Sequence, residues 1–387
     1  MIPRSRYILI NAYHILIDGL FDSVPVLLTF MVLTFNSNEA AVGLIVSIGT
    51  AAGTATGLLT LVFSATLGFF GATSLVTALY GIGFLGAAFS GNIFVAGACF
   101  TLAIAGHTVF HNIAFSYITL HTERQRLGRI MSDFTAIGDV GRIPLVTLAA
   151  FAAAYTIWGH EGWRVVCLAY GAVTLALAAW LFITSSKDGR QKKPEGNRLF
   201  PSFSLLRQKD VFLSMLGSVL NACSNDRIFT FLPLLLLAKG IDPKIIGSFA
   251  LGFTVGSFLG KMACGRLVDA FGSRNVFISA EFLLTGLLVA LIWAENIWFI
   301  VILALALGIV TKGTVPVIQA IITGPVPNGG AYDDVFSINS LARGITNMGT
   351  PLLFGLMASM WGMSMVYAFM ALIAAIAAIP VWMMSRP

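Results

Sequence analysis

Long apolar segments constrain the fold of this chain more than any other feature of its sequence. The 387 residues are 57% apolar and only 10% charged, whereas an average soluble domain is about 25% charged. Runs of about 20 apolar residues are long enough to cross a bilayer as helices. The runs are continuous rather than alternating, which excludes a transmembrane β-barrel. The sequence therefore predicts an all-α polytopic membrane protein.

The breaks between the apolar runs predict twelve transmembrane helices. Their predicted bounds are 7–35, 40–63, 65–89, 92–120, 130–156, 165–185, 211–237, 245–266, 275–294, 297–323, 335–359 and 363–384. No small-residue cleavage site follows the first run, so we expect no cleaved signal peptide.

The distribution of basic residues predicts the orientation in the membrane. Of the 23 Lys and Arg residues, 16 lie on the loops and ends of one side and only Arg164, Lys239 and Lys244 lie on the other. The positive-inside rule then places both termini in the cytoplasm. We expect a monomer in a bacterial-type inner (plasma) membrane. The net charge of +6 reflects this topology, so we expect no nucleic-acid partner.

The two halves of the chain resemble each other. The first span reads D-G-L-F-D-S-V-P-V-L-L from Asp18, and the seventh reads D-R-I-F-T-F-L-P-L-L-L from Asp226, which follows 208 residues later. In spans 5 and 11 a glycine lies shortly before a proline, at Gly141 and Gly349. These matches share one offset and therefore indicate a duplication of six helices.

The duplication predicts the domain organisation. We expect an N-terminal six-helix bundle at 1–185, a basic cytoplasmic linker at 186–210 and a C-terminal six-helix bundle at 211–387. A repeated bundle of this kind is typical of transporters, whose site lies near the midplane between the halves.

A short motif follows the eighth span. The segment Gly260 to Asn275 reads G-K-M-A-C-G-R-L-V-D-A-F-G-S-R-N, and its core consists of Gly265, Asp269, Gly272 and Arg274. Small residues let two helix ends approach, and the acid and the base can form a charged latch between neighbouring helices. This core resembles the cytoplasmic loop signature of the major facilitator superfamily. With the repeat and the linker, the resemblance covers essentially the whole chain and implies two pseudo-symmetric six-helix bundles that work by alternating access.

The first half departs from the family pattern at the equivalent loop, Leu59 to Gly71. Ala65 stands where the acid would be and the arginine is missing, whereas Gly68 is retained. We therefore expect the N-terminal latch to be lost. The opening segment YHILIDGLFDSVPVLL is faintly similar to the fosmidomycin-resistance-like exporters.

An ionisable stripe interrupts the first span. His14, Asp18 and Asp22 are spaced i, i+4 and i+8 and therefore share one face of a helix. A charge at the bilayer centre costs roughly 2.5–3.5 kcal/mol. The stripe either lines a cavity or forms a structural polar seam against a neighbouring helix, and we favour the cavity. Asp18 and its repeat partner Asp226 are the candidates for proton coupling, because a carboxyl group shielded from water can bind and release protons.

Further ionisable residues lie within the predicted spans. His107 and His111 have an i, i+4 spacing that suits metal chelation, substrate contact, a proton relay or simple packing. Asp139 and Arg142 are spaced i, i+3 and can pair within one helix, in either a structural or a functional role.

Three cations lie within the predicted spans of the C-terminal half. Arg227 follows Asp226 directly, so the two side chains point about 100° apart and cannot share one facing partner. Lys312 and Arg343 have no acid within four residues on their own helices. Each needs a partner elsewhere, and a substrate anion is one option. We assign Glu281, in the ninth span, a structural role.

Together these residues predict a secondary transporter rather than an enzyme. The chain has no phosphate-binding loop, GxSxG or HExxH motif. We expect a proton-coupled transporter of a small polar or anionic solute, such as a carboxylate-bearing siderophore, with an ion gradient and no cofactor. The alternatives are a multidrug exporter, a divalent-metal exporter that uses His14, Asp18 and Asp22, and a membrane scaffold or sensor without a substrate.

Overall fold

The chain folds into two compact helical units. The structure is a computed structural model that describes residues 4–58, 60–122, 124–185, 202–326 and 332–385. The units comprise Met1–Glu195 and Gly196–Pro387. Most of the predicted linker at 186–210 lies outside the described residues.

The described residues of the N-terminal unit form six helices. They are α1 (Arg4–Thr34), α2 (Glu39–Leu58), α3 (Thr60–Ala88), α4 (Ile93–His121), α5 (Arg124–Ala153) and α6 (Gly162–Ser185). Of these, α2 ends five residues before its predicted end, and α3 and α5 begin five and six residues before their predicted starts. A two-residue hairpin that the sequence did not predict, β1 (Thr156–Ile157) and β2 (His160–Glu161), connects α5 to α6. Within the unit, α1 packs against α5 and α4, and α3 packs against α4 and α6.

The C-terminal unit contains the second set of helices. They are α7 (Lys209–Asn225), α8 (Ile228–Ala238), α9 (Ile246–Phe271), α10 (Ser273–Trp293), α11 (Ile297–Thr323), α12 (Tyr332–Trp361) and α13 (Met363–Trp382). Here α9 packs against α11, α10 packs against α13, and α7 contacts both α12 and α13. The nearly all-helical architecture confirms the predicted fold class.

The seventh span is interrupted, which corrects the prediction of one continuous helix over 211–237. Helix α7 ends at Asn225, and Arg227, with φ −111° and ψ 0°, precedes α8. Polar side chains near the break can bond outside their own helix, which competes with helix continuation. Asn225 donates to the carbonyl of Thr311 at 3.0 Å, and Asp226 binds a side chain on α12. The break therefore places Asp226 between two helix segments.

Both halves keep the glycine turn of the loop motif. Gly68 has φ 71° and bends α3, and Gly272 has φ 78° between α9 and α10. Positive φ favours glycine because it lacks a Cβ atom. The N-terminal loop thus retains the turn although it has lost the acid and the arginine of the motif.

The helices have the length and composition of membrane spans. Among the described residues, ten helices are long and apolar enough to cross a membrane. Helices α7 and α8 are individually too short for this assignment, with 17 and 11 residues. The protein is therefore a multi-pass integral membrane protein.

Close packing of α1 against α5 positions the ionisable stripe. A methyl group added at Gly141 would overlap the backbone carbonyl of Ile15, and one added at Gly19 would lie 2.7 Å from the carbonyl of Gly141. Small residues permit this approach of two membrane helices. The contact fixes the polar side chains of α1 and α5 at hydrogen-bonding distance.

We predict that Gly141→Ala destabilises the N-terminal unit. The added methyl group has to displace α1, and overpacking of this kind costs about 1–3 kcal/mol. Thermal unfolding of the purified protein in detergent measures the loss. The matched control is Gly349→Ala at the repeat-equivalent position, where an added methyl group meets no described atom within 4 Å. Equal melting temperatures for the two variants would contradict the proposed role of the α1–α5 contact.

Candidate functional site

The N-terminal unit brings seven predicted site residues into one largely buried cluster, which we call the N-cluster. They are His14, Asp18 and Asp22 on α1, His107 and His111 on α4, and Asp139 and Arg142 on α5. Three helices therefore meet at Asp18, whose side chain is 4% exposed.

Arg142 contacts all three carboxylates of the N-cluster. Its Nη1 lies 2.5 Å from Asp139 Oδ1, its Nη2 lies 3.0 Å from Asp18 Oδ2, and its Nε lies 3.0 Å from Asp22 Oδ2. The predicted pairing of Asp139 with Arg142 is therefore present, and Arg142 also joins α5 to α1. Three carboxylates share one guanidinium group, which leaves two negative charges uncompensated when the imidazoles are neutral.

Three imidazoles approach Asp18 from its other side. His107 Nε2 and His111 Nε2 each lie 3.3 Å from Asp18 Oδ1, and His14 Nε2 lies 3.3 Å from Oδ2. His14 Nε2 is also 3.2 Å from His111 Nε2. A protonated imidazole carries a positive charge, so these three rings can balance the excess negative charge of the carboxylates by binding protons.

The backbone fixes the tautomer of His111. Its Nδ1 lies 3.0 Å from the carbonyl oxygen of His107, and a carbonyl can only accept, so Nδ1 carries a hydrogen. In a neutral His111, Nε2 is then an acceptor that faces the acceptor Oδ1 of Asp18. Asp18 Oδ1 is buried and completes no aligned hydrogen bond among the described residues. A cation at this contact, either a proton or a metal ion, would convert a repulsion into an attraction.

Small and aromatic residues shape the walls of the N-cluster. A Cβ atom at Gly138 would lie 2.6 Å from both Asp18 Oδ2 and His14 Nε2, so glycine is required for this close approach. Phe134 stacks on His14 with 4.0 Å between ring centroids, and Phe21 stacks on His107 at 3.9 Å. The imidazoles are thus held between apolar rings and the carboxylates.

The same geometry defines a candidate metal site. One ligand atom each from His14, Asp18 and His111 lies within 4.8 Å of the others. Contacts of 3.2–3.3 Å match the ligand-to-ligand spacing of about 3.3 Å around a tetrahedral ion bound at about 2.0 Å. Arg142 opposes metal binding here, because it is bonded to the same carboxylate.

The C-terminal unit contains a second network around Asp226. Arg343 Nη2 donates to Asp226 Oδ1 and Oδ2 at 2.8 and 2.9 Å, and Asn347 donates to Oδ2 at 2.8 Å. Arg227 Nη2 donates to the carbonyl of Asn347 at 2.7 Å. Two of the three C-terminal cations are thus bonded inside their own unit. Lys312, which is partly buried, has no hydrogen bond or ion pair with the described part of the chain.

Some residues of the two networks were not identified from the sequence, among them Asn347, Asn221 and Tyr80. Asn347 follows Asp139 by 208 residues, so the repeat offset could have identified it. Asn221, which bonds Arg343 at 3.3 Å, carries no such signal. Tyr80 is fully buried in α3, close enough to Asp18 to interact electrostatically, and its hydroxyl has no partner among the described residues.

The loop motif does not form the predicted latch within its own unit. Asp269 is exposed and makes no ion pair with a described residue, and Arg274 instead donates to the carbonyl of Trp382 on α13. A Cβ atom at Gly265 would meet no described atom within 4 Å, so this glycine does not mediate a helix contact there. Of the motif, Gly272 has a clear structural requirement, which is its positive φ.

Comparison with known proteins assigns the fold. The sequence model of the Major Facilitator Superfamily matches residues 214–387. The fold is that of the major facilitator superfamily. The resemblance deduced from the loop motif and the repeat is thereby confirmed.

Three solved structures of transporters share this fold. A bacterial homolog of the human lysosomal transporter Spinster, inward-facing and unoccupied, has a TM-score of 0.76 at 16% identity and covers 99% of this chain and 97% of its own. The nucleoside transporter NupG has a TM-score of 0.79 at 12% identity, with coverage of 98% and 100%. A D-xylose-proton symporter has a TM-score of 0.74 at 16% identity, with coverage of 98% for both chains.

One relative is similar in sequence. A multi-drug resistance efflux pump PmrA homolog of Lactococcus lactis subsp. lactis (strain IL1403) is 24% identical over 177 residues, which is 44% of this chain and 42% of that protein. The match thus spans less than half of the relative. All of these similarities are to transporters rather than to enzymes, as the sequence predicts.

We predict that Arg142→Gln strongly destabilises the protein and that Asp139→Asn partly rescues it. Removing one partner of a buried ion pair costs about 3–5 kcal/mol, because the remaining charge is uncompensated. Unfolding in mixed detergent micelles measures the free energy of both variants. A double variant no more stable than Arg142→Gln alone would show that Asp139 does not depend on Arg142 for its countercharge.

Proposed function

We propose that this major facilitator protein is a proton-coupled secondary transporter whose coupling proton binds in the N-cluster. The observation that supports the proposal is the contact of His111 Nε2 with Asp18 Oδ1 at 3.3 Å. A proton bound between the two atoms turns this contact into a hydrogen bond. When that proton is lost, two acceptors, His111 Nε2 and Asp18 Oδ1, face each other. The proton occupancy of the N-cluster therefore changes the attraction between α1 and α4, which is the link that coupling requires.

The proposed solute is a small polar molecule with an anionic group. Support comes from Lys312 on α11, the cation of the predicted set without a partner in the described part of the chain. Arg142 and Arg343 are already paired with carboxylates, which makes Lys312 the more favourable partner for an anionic solute. The proposed location is a bacterial-type inner (plasma) membrane, and the proposed driving force is the proton gradient without a bound cofactor.

We predict that Asp18→Asn abolishes transport driven by a pH gradient. Asparagine keeps the size of the side chain and a hydrogen-bonding oxygen but cannot bind the coupling proton. Uptake of radiolabelled succinate and citrate into proteoliposomes under an imposed pH gradient measures the effect. The matched control is Glu161→Gln in the exposed hairpin, which should transport like the wild type. Unchanged gradient-driven flux in Asp18→Asn would refute the coupling role.

Transport of a divalent metal ion is a second candidate, which the spacing of His14, Asp18 and His111 favours. We expect the purified protein to give no saturable heat on calorimetric titration with Zn²⁺ or Co²⁺, because Arg142 occupies Asp18 Oδ2. Saturable binding that His14→Ala abolishes would contradict this expectation and support the metal candidate.

Multidrug export is the remaining alternative, and it is supported by the similarity to the Lactococcus efflux pump homolog. A cluster of seven ionisable side chains suits a lipophilic drug poorly, because a buried polar group needs a polar partner. Proteoliposomes that extrude ethidium but transport neither succinate nor citrate would favour this alternative.

A further inference from the structure

Glu281 is a fully buried acid that the proposed mechanism does not use. It lies near the middle of α10 (Ser273–Trp293) and is 0% exposed. The sequence predicted only a structural role for it. An ionisable residue in the middle of a membrane span is costly and usually functional.

The carboxyl group of Glu281 is only half satisfied. Its Oε1 accepts a hydrogen bond from Asn221 Nδ2 at 2.5 Å. Its Oε2 is buried and has no partner among the described residues. No Lys, Arg or His of the described chain lies within ion-pair distance of it. An ionised carboxylate here would lack the countercharge that burial demands, whereas a protonated carboxyl group would not.

Arg343 is the charged side chain that acts on Glu281. Helix α10 packs against α9, α11 and α13, and Asn221 brings α7 to it. The titratable side chains on the described parts of these four helices are Lys209, Asp210, Cys223, Lys261, Cys264, Arg266, Asp269, Lys312 and Tyr367. None of them bonds Glu281, and the electrostatic influence on it comes from Arg343 on α12.

A chain of hydrogen bonds connects Glu281 to Asp226. Asn221 Oδ1 accepts from Arg343 Nη1 at 3.3 Å, and Arg343 Nη2 donates to both oxygens of Asp226. One guanidinium group is therefore shared between two acids. Asp226 binds it directly, and Glu281 reaches it through the amide of Asn221.

We propose that Glu281 is a second proton-binding group, located in the C-terminal unit, whose proton is exchanged when Arg343 leaves Asp226. While Arg343 pairs with Asp226, Glu281 is neutral and keeps its proton. When Asp226 takes a proton from water, Arg343 becomes the countercharge for Glu281, which releases its proton to water. One proton enters and one leaves, so the charge of the network is constant. The proposal deepens the proposed function and rests on it.

Infrared spectroscopy of the purified full-length protein at neutral pH tests this proposal without any solute or gradient. A protonated buried carboxyl group has a C=O stretching band separate from that of carboxylates. We expect the wild type to show this band and Glu281→Gln to lose it. The glutamine can still accept from Asn221, so the fold should persist, which thermal unfolding checks. The matched control Glu161→Gln should retain the band. A band of equal intensity in Glu281→Gln would overturn the proposal.

A second variant tests the link through Arg343. Asp226→Asn removes the direct acidic partner of Arg343, so Glu281 should ionise and its band should disappear at neutral pH. An unchanged Glu281 band in Asp226→Asn would overturn the proposed exchange. Failure here is distinguishable from failure of the proposed function. The infrared band reports on Glu281 alone, whereas the flux of Asp18→Asn reports on the N-cluster.

Discussion

The sharing of one guanidinium group by three carboxylates, two of them buried, is the constraint on which the N-terminal unit depends. Arg142 holds Asp18 and Asp22 of α1 and Asp139 of its own helix. Pairing of each acid with Arg142 offsets the free-energy cost of removing these charges from water. Because three carboxylates share one guanidinium group, the remaining negative charge still needs a cation. The imidazoles on α1 and α4 are the groups within reach that can bind protons. Helix packing and charge balance in the N-terminal unit therefore depend on the same residues.

The C-terminal unit meets the same requirement with different residues. Asp226 follows Asp18 by 208 residues and also pairs with an arginine on the fifth span of its half, Arg343. Arg142 and Arg343 do not occupy equivalent positions in the repeat. The C-terminal acid also lies at a helix break, whereas α1 is continuous. Both halves thus pair an acid of their first span with an arginine of their fifth, but the two arginines stand at different positions.

The sequence predicted the fold well, since apolar runs of membrane-spanning length leave few alternatives to helices. The i, i+4 and i, i+3 spacings on α1, α4 and α5 also identified all seven residues of the N-cluster. The break between α7 and α8 was not predictable, because it depends on bonds from Asn225 and Asp226 to other helices. The hydrogen bond of Glu281 with Asn221 was not predictable either, because Asn221 lies 60 residues away on another helix. Long-range partners of this kind carry no local spacing signal.

Nitrogen-15 NMR of the histidine side chains in the purified protein is the most direct measurement of the central claim. It reports which ring nitrogens carry hydrogens, and His111→Gln assigns the signals of the key ring. The account predicts that a neutral His111 carries its hydrogen on Nδ1, because the carbonyl of His107 accepts it, which leaves a bare Nε2 facing Asp18 Oδ1. A neutral His111 whose hydrogen lies on Nε2 would already donate to Asp18 and would contradict the account.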